Sequence, residues 1–254
     1  MNWHERYIQQ AAWTRELRSY VFEKVHLPEA RRVLEVGCGT GAVLGDLIAR
    51  PEYSKLPEHH RPSFHGLDLA QASLIQCREY AATALLTCGD ALSLPYPHEI
   101  FDITYCHFLL LWIPDSLRAL QEMKRVTMRS GYVLALAEPD YTARIDKPPE
   151  LAWLGQQQNQ ALIRQGAALG RGAELGDLFH RAGIRLIETG RILPADNHTL
   201  TQVEWESEWK VLEADLKDSL PPAETRRMQN LDSLSWRRGE RILNVPTYFA
   251  WGQV

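Results

Sequence analysis

Gly37, Gly39 and Gly41 alternate through "VLEVGCGTG", residues 33–41, where an apolar run ends. A glycine lacks the Cβ that would hold a backbone away from a ligand or forbid a left-handed turn. The spacing Gly37-x-Gly39-x-x-Ala42 satisfies the dinucleotide pattern, so the glycines alone leave two ligands open: a dinucleotide, or a smaller cofactor carrying positive charge. Three acids narrow the choice. Glu35 sits two residues before Gly37 on an apolar strand, where a carboxylate is expensive to bury without a donor or a cation. Asp68 ends "GLDLA", where an acid can accept hydrogen bonds from ribose hydroxyls. Asp90 ends "CGDA", where an adenine amino group can be read. Each acid alone is an ordinary turn or cap residue; three at successive strand ends beside a glycine turn form a specific pattern.

Further along, His107 follows "FDITYC" and is a candidate general base, with a hydrogen-bonded structural histidine as the competing account. Glu138, Asp140 and Tyr141, in "AEPDY", are candidates to orient an acceptor amine or hydroxyl; capping and turn roles compete. No cluster with metal-ligand spacing occurs, and the adjacent His59 and His60 read as loop surface. The four cysteines, Cys38, Cys77, Cys88 and Cys106, make no CxxC pair and read as reduced thiols.

These residues need elements to hold them. "RRVLEVGC", "SFHGLDLA", "ALLTCGDA", "FDITYCHFLLLWI" and "SGYVLALAEPD" read as strands. "TGAVLGDLIAR", "AQASLIQCREYAA" and "DSLRALQEMKRVTMR" read as the helices between them, with Thr40 near one N-cap and Pro114 where another begins. The alternation specifies an α/β fold with a mostly parallel sheet, whose ligands sit beyond the carboxyl ends of the strands. Residues 3–25 read as one amphipathic helix. The chain divides into an N-terminal helical lid segment at 1–28, a core at 29–141, a helical insertion at 142–172, a core helix and strand at 173–194, a second helical lid insertion at 195–241, and a closing strand at 242–254.

The formal net charge of −4 gives no basic footprint for nucleic acid. No apolar run approaches the ~20 residues of a membrane span, and "MNWHERYIQQ" lacks the apolar stretch of a signal peptide. A cytoplasmic protein, monomer or homodimer, is expected.

Taken together, "VLEVGCGTG", "GLDLA", "CGDALSLPYP", "FDITYCHFLLLWIPD" and "GYVLALAEPD" resemble the class I S-adenosylmethionine-dependent methyltransferases over about residues 31–140. The resemblance implies a Rossmann-like seven-stranded sheet whose last strand, "TYFAWGQV", is antiparallel. It implies S-adenosyl-L-methionine as cofactor and S-adenosyl-L-homocysteine as product. Gly37, Cys38, Gly39 and Gly41 would lie along the methionine portion, with Glu35 nearby. Asp68 would meet the ribose, Leu69 the adenine face, and Asp90 with Ala91 the adenine edge. Cys106 and His107 would face the methionine end and the methyl group. A methylsulfonium donor carries its own activated methyl, so the protein need only align an acceptor and exclude water. Asp68 lies 27 residues after Gly41, against ~20 in the dinucleotide fingerprint; the Pro-rich loop accounts for the excess if the second strand starts at Ser63. The NPPY-type motif of nucleic-acid amino-methylating relatives is absent after the fourth strand.

The expected acceptor is a small molecule under a helical lid. Trp3, Trp13, Trp153, Trp205, Trp209 and Trp236 lie outside the sheet; they either pack the lid or line an aromatic pocket, with Trp205 and Trp209 on one helix face. The alternatives are a methyltransferase acting on a macromolecule and an NAD-type oxidoreductase.

Overall fold

The computed structural model describes residues 3–54, 56–57, 61–192 and 201–254; His59 and His60 lie outside them. Two helices, α1 (Trp3–Trp13) and α2 (Arg15–Lys24), precede β1 (Arg32–Val36), α3 (Ala42–Ile48) and the single turn α4 (Pro51–Ser54). Then come β2 (Ser63–Asp68), α5 (Gln71–Tyr80), β3 (Leu85–Cys88), β4 (Phe101–His107), α6 (Ser116–Val126) and β5 (Thr127–Pro139). The remaining elements are β6 (Ile145–Lys147), α7 (Pro149–Arg164), α8 (Arg171–Arg181), β7 (Arg185–Ile192), α9 (Gln202–Leu216), α10 (Pro222–Arg237), β8 (Ile242–Asn244) and β9 (Thr247–Gln253).

Seven strands form one sheet in the order β3-β2-β1-β4-β5-β9-β7, in which β9 runs antiparallel to both neighbours. This is the expected Rossmann-like arrangement with "TYFAWGQV" antiparallel. The second strand does start at Ser63 and pairs in register with β1, so Val36 stands opposite Leu67 at the strands' carboxyl ends. The central strands are apolar on both faces because helices cover both. Val33, Ile103 and Tyr105 pack with Phe22, Leu44 and Leu47 on one side. Leu34, Val36 and Val133 pack with Leu120, Met123 and Phe179 on the other. Each such side chain, fully buried, contributes roughly 1.5–3 kcal/mol.

Several local readings change. The N-terminal helix breaks at Thr14, whose side chain is spent on tertiary hydrogen bonds described below. Gly41, not Thr40, precedes α3, in a left-handed conformation. Helix α6 starts after Asp115, whose carboxylate accepts from the Arg118 N–H. The short antiparallel pair β6–β8 was not legible.

That pair lies beside a cluster of three helices. Helices α7, α9 and α10 bury Leu151, Leu154, Trp209, Leu212 and Met228 among themselves. Asp232, 2% exposed, accepts from the indole N–H groups of Trp205 (2.7 Å) and Trp209 (2.5 Å) and from Arg241 Nε (2.6 Å). Trp236 stacks on Trp205 at 5.7 Å. Trp205 and Trp209 therefore pack within this helical cluster, with Trp236 stacked on its edge. Buried indoles need partners for their N–H, and Asp232 supplies two.

Candidate active site

The turn after β1 is held from below. The N–H groups of Gly37 and Cys38 both donate to Leu67 O, at 2.7 and 3.0 Å. Gly37 and Gly39 have φ of +75° and +52°. A Cβ at Gly39 would meet nothing within 4 Å, so this backbone faces open space, which is the room a ligand needs. A Cβ at Gly37 would lie 2.5 Å from Leu109 Cδ1, so that glycine lets the Leu109 side chain lie against the turn.

Asp68 faces the same turn. Its Oδ2 accepts from Gly39 N–H at 2.8 Å and its Oδ1 from Ala70 N–H at 2.9 Å. The carboxylate is half-buried, and each oxygen keeps acceptor capacity for a hydroxyl. Leu69, 73% exposed, stands beside it. Asp90 is exposed and accepts from Leu92 N–H at 2.9 Å; Ala91 is buried against Leu94, so only its backbone can meet an adenine edge. Glu35 is 2% exposed and accepts from the Tyr105 hydroxyl at 2.9 Å. Burial pushes its carboxyl up to about 8, against opposing pulls from Tyr105 and the Arg18 guanidinium. Glycine turn, open backbone and three acids thus share one edge of the sheet.

The two cysteines behave otherwise. Cys38 and Cys106 are buried, with side chains in the core; Cys38 packs near Cys77, and Cys106 lies among the α6-side residues. Burial raises the Cys106 thiol well above its ordinary range. Only their backbones can touch a cofactor.

Helix α1, within the expected N-terminal lid segment, packs over this edge through residues that the sequence reading did not single out as site residues. His4 Nδ1 is 2.7 Å from Thr40 Oγ1, and the His4 ring stacks on Tyr80 at 3.5 Å. Tyr7 lies near enough to Asp68 for that charge to raise its phenol, after burial. At the far end, Thr14 Oγ1 is 2.8 Å from His107 Nε2. Arg18, 1% exposed, donates to Ala11 O, to Thr14 Oγ1 (2.6 Å) and to Asp46 Oδ2 (2.8 Å). The signal was present: His4, Tyr7, Ala11, Thr14 and Arg18 recur at helical spacing, but four of the five are polar. The apolar face read from the sequence (Tyr7, Ile8, Ala11, Ala12, Leu17, Val21 and Phe22) shares Tyr7 and Ala11 with this row but takes in Ile8, which is 47% exposed.

His107 is half-buried at the end of β4, and burial with Arg18 nearby holds its imidazole well below the usual histidine range. It is therefore neutral. Phe108 follows with φ +52°, turning the chain so that the amides of Leu109, Leu110 and Leu111 meet Glu138 at 2.9, 3.0 and 3.2 Å. Glu138 is fully buried; burial pushes its carboxyl up to about 7, opposed by these three N–H groups. Both oxygens are committed to backbone, so the geometry assigns Glu138 to shaping the loop after β4 and not to an acceptor. Asp140 accepts from Thr142 N–H at 2.9 Å, a turn role. Tyr141 packs with Leu111, Leu162 and Ala167, while its carbonyl accepts from Asn159 Nδ2 at 2.9 Å.

Among the described residues no group of three metal-ligating side chains occurs, and no helix is long and apolar enough to cross a membrane.

Residues 34–135 match the family model for a methyltransferase domain. The malonyl-[acyl-carrier protein] O-methyltransferase of Halorhodospira halophila is 27% identical, over 98% of this chain and 84% of that protein. The demethylmenaquinone methyltransferase of Alkalihalophilus pseudofirmus is 26% identical, over 54% of this chain and 55% of that one. The crystal structure of the [4+2]-cyclase SpnF superposes with a TM-score of 0.58 at 18% identity, covering 94% of this chain and 80% of that one, a likeness of fold alone. The matched stretch holds the glycine turn, Asp68 and Asp90, so the likeness to methyltransferase domains falls on the edge of the sheet described above.

Proposed function

We propose that this chain transfers a methyl group from S-adenosyl-L-methionine to a small-molecule acceptor held between the carboxyl edge of the sheet and a roof made by α1 and the α7–α9–α10 lid. The observation that carries the reading is the turn at Gly37–Gly41: a left-handed backbone facing open space at Gly39, with the Asp68 carboxylate tied to it and Glu35 buried beneath. Asp68 would hold the ribose hydroxyls, the Asp90–Ala91 backbone the adenine edge, and the glycines the methionine portion. The bound cofactor supplies a methyl already activated by a sulfonium. The chain's own residues orient and exclude water: α1 closes over the turn through His4 and Thr40, and Thr14 fixes the imidazole of His107 at the end of β4.

His107 is the remaining candidate to accept a proton from an acceptor, being neutral and at the strand end where the methyl would lie. Tyr141, whose phenol is raised by burial, is a second candidate to position the acceptor. The relatives acting on malonyl and menaquinone-type acceptors support a metabolite acceptor over a nucleic acid. A dinucleotide oxidoreductase is disfavoured by topology: the ordinary dinucleotide sheet runs 3-2-1-4-5-6, whereas here antiparallel β9 is inserted between β5 and β7.

The test is isothermal titration of the purified protein with S-adenosylmethionine, S-adenosylhomocysteine and NAD in parallel. Micromolar binding of the two sulfur compounds with none of NAD is expected. NAD binding alone would sink the proposal.

A further inference from the structure

One buried cation in this roof has no counter-ion. Arg6 on α1 is 9% exposed. Its Nη1 donates to Gln9 Oε1 at 2.9 Å, and its Nε has no hydrogen-bond partner. Among the described residues no carboxylate lies within ion-pair distance of it. Glu208, whose charge bears on Arg6, is itself held by Arg241 at 2.7 Å. A buried guanidinium left in this state is expensive unless something else supplies the acceptor.

Its placement says what that is. His4 and Tyr7 take the side of α1 that faces the glycine turn and Asp68. Arg6 instead faces α9, through Gln9 and its partner Ser207 (2.6 Å), and Tyr141 at the exit of β5. Arg6 therefore faces away from the glycine turn, towards α9 and Tyr141. Trp13 covers one face of the guanidinium, with the Arg6 carbon 4.7 Å from the ring centre. With a face closed, the open donors point edge-on, in the guanidinium plane, which is the geometry that matches a planar carboxylate. One arginine beside a glutamate also suits a single negative charge better than a phosphate dianion.

We propose that the methyl acceptor carries a carboxylate and that Arg6 holds it, between α1 and α9 and beside Tyr141. The proposal rests on the methyltransferase reading above and adds to it a substrate class and a residue that selects for it.

The experiment uses the full chain saturated with S-adenosylhomocysteine, with wild type, Arg6→Gln and Arg6→Lys compared by thermal shift and calorimetry. The probes are butyrate, octanoate, benzoate and phenylacetate, each against its primary amide. Expected is binding of at least one acid to wild type, at least tenfold weaker binding of its amide, and loss of that preference by tenfold or more in Arg6→Gln. Arg6→Lys should recover part of it, because charge returns without the fork. Amides binding as well as acids, or no acid binding at all, overturns the proposal. So does unchanged acid binding by Arg6→Gln. If Arg6→Gln loses S-adenosylmethionine affinity instead, Arg6 serves the cofactor's own carboxylate and the proposal fails while the methyltransferase reading stands. If wild type binds neither sulfur compound, the methyltransferase reading is what has failed.

Discussion

Replacing Glu35 by Gln should flatten the pH dependence of stability in a calculable way. The carboxyl is buried, with its folded value pushed up from 4.5 to about 8. Between about pH 5.5 and about pH 7.5 the unfolded chain has released this proton and the folded chain has kept it. Stability from this group is therefore full below about pH 4.5 and drains away as pH rises towards 8. The slope is about 1.4 kcal/mol per pH unit, so wild type should lose roughly 2–3 kcal/mol across that window from Glu35 alone. For a chain of 254 residues, that is a fall in Tm of roughly 5–10 °C. Glu35→Gln keeps the shape and can still accept from Tyr105, but has no proton to release. All other titrating groups, Glu138 included, are common to both proteins and cancel in the difference. The assay is Tm by scanning calorimetry at several pH values without ligand. The variant should gain on wild type steadily with pH. Two parallel curves would refute the reasoning, because they would mean that Arg18 already holds Glu35 ionised in the folded chain.

The same proton gives a binding prediction: if the cofactor's ammonium group settles near Glu35, binding should release close to one proton near pH 7 in wild type and none in Glu35→Gln, read by calorimetry in two buffers of different ionisation enthalpy. Asp68→Ala removes an acceptor for two hydroxyls and should weaken S-adenosylmethionine binding by roughly 10–100-fold, at ~1.5–3 kcal/mol per charged hydrogen-bonding group; unchanged affinity on titration would remove Asp68 from the site. Glu138→Ala strands three buried amides and should cost about 3 kcal/mol or more in chemical denaturation, with Glu138→Gln recovering part of it; a fully stable alanine variant would show that the loop after β4 does not need this carboxylate. Asp232→Leu leaves two indole N–H groups without their acceptor and Arg241 with Glu208 alone, so hydrogen exchange should rise in α9 and α10 while β1 and β4 stay protected; uniform protection would contradict the helical cluster described above.

The sheet was legible because its strands carry continuous apolar runs punctuated by glycine and proline, and a parallel sheet buried on both faces demands such runs. The glycine turn and Asp68 were legible for the same reason: their positions follow once the strand ends are fixed. What the sequence concealed depends on contacts between distant segments. Glu138 reads like a site acid, but the three amides it meets belong to residues 109–111, brought to it by the left-handed turn at Phe108. Trp205 and Trp209 read like a pocket until Asp232, on another helix, is seen to take both indoles. Helix α1 was found, but its polar face was passed over because periodicity searches reward apolar residues. Arg6 on α1 and Arg18 on α2 are buried against that rule.

Strand β7 reaches the sheet only through β9. During synthesis β7 therefore emerges without a partner and must wait until the whole stretch holding α9, α10 and β8 has followed it. The last two strands of the sheet can pair only after α9, α10 and β8 have been made. A damaged lid would then be felt not only over the ligands but as a slower, more exposed folding intermediate, with the edge of an unfinished sheet open to other chains.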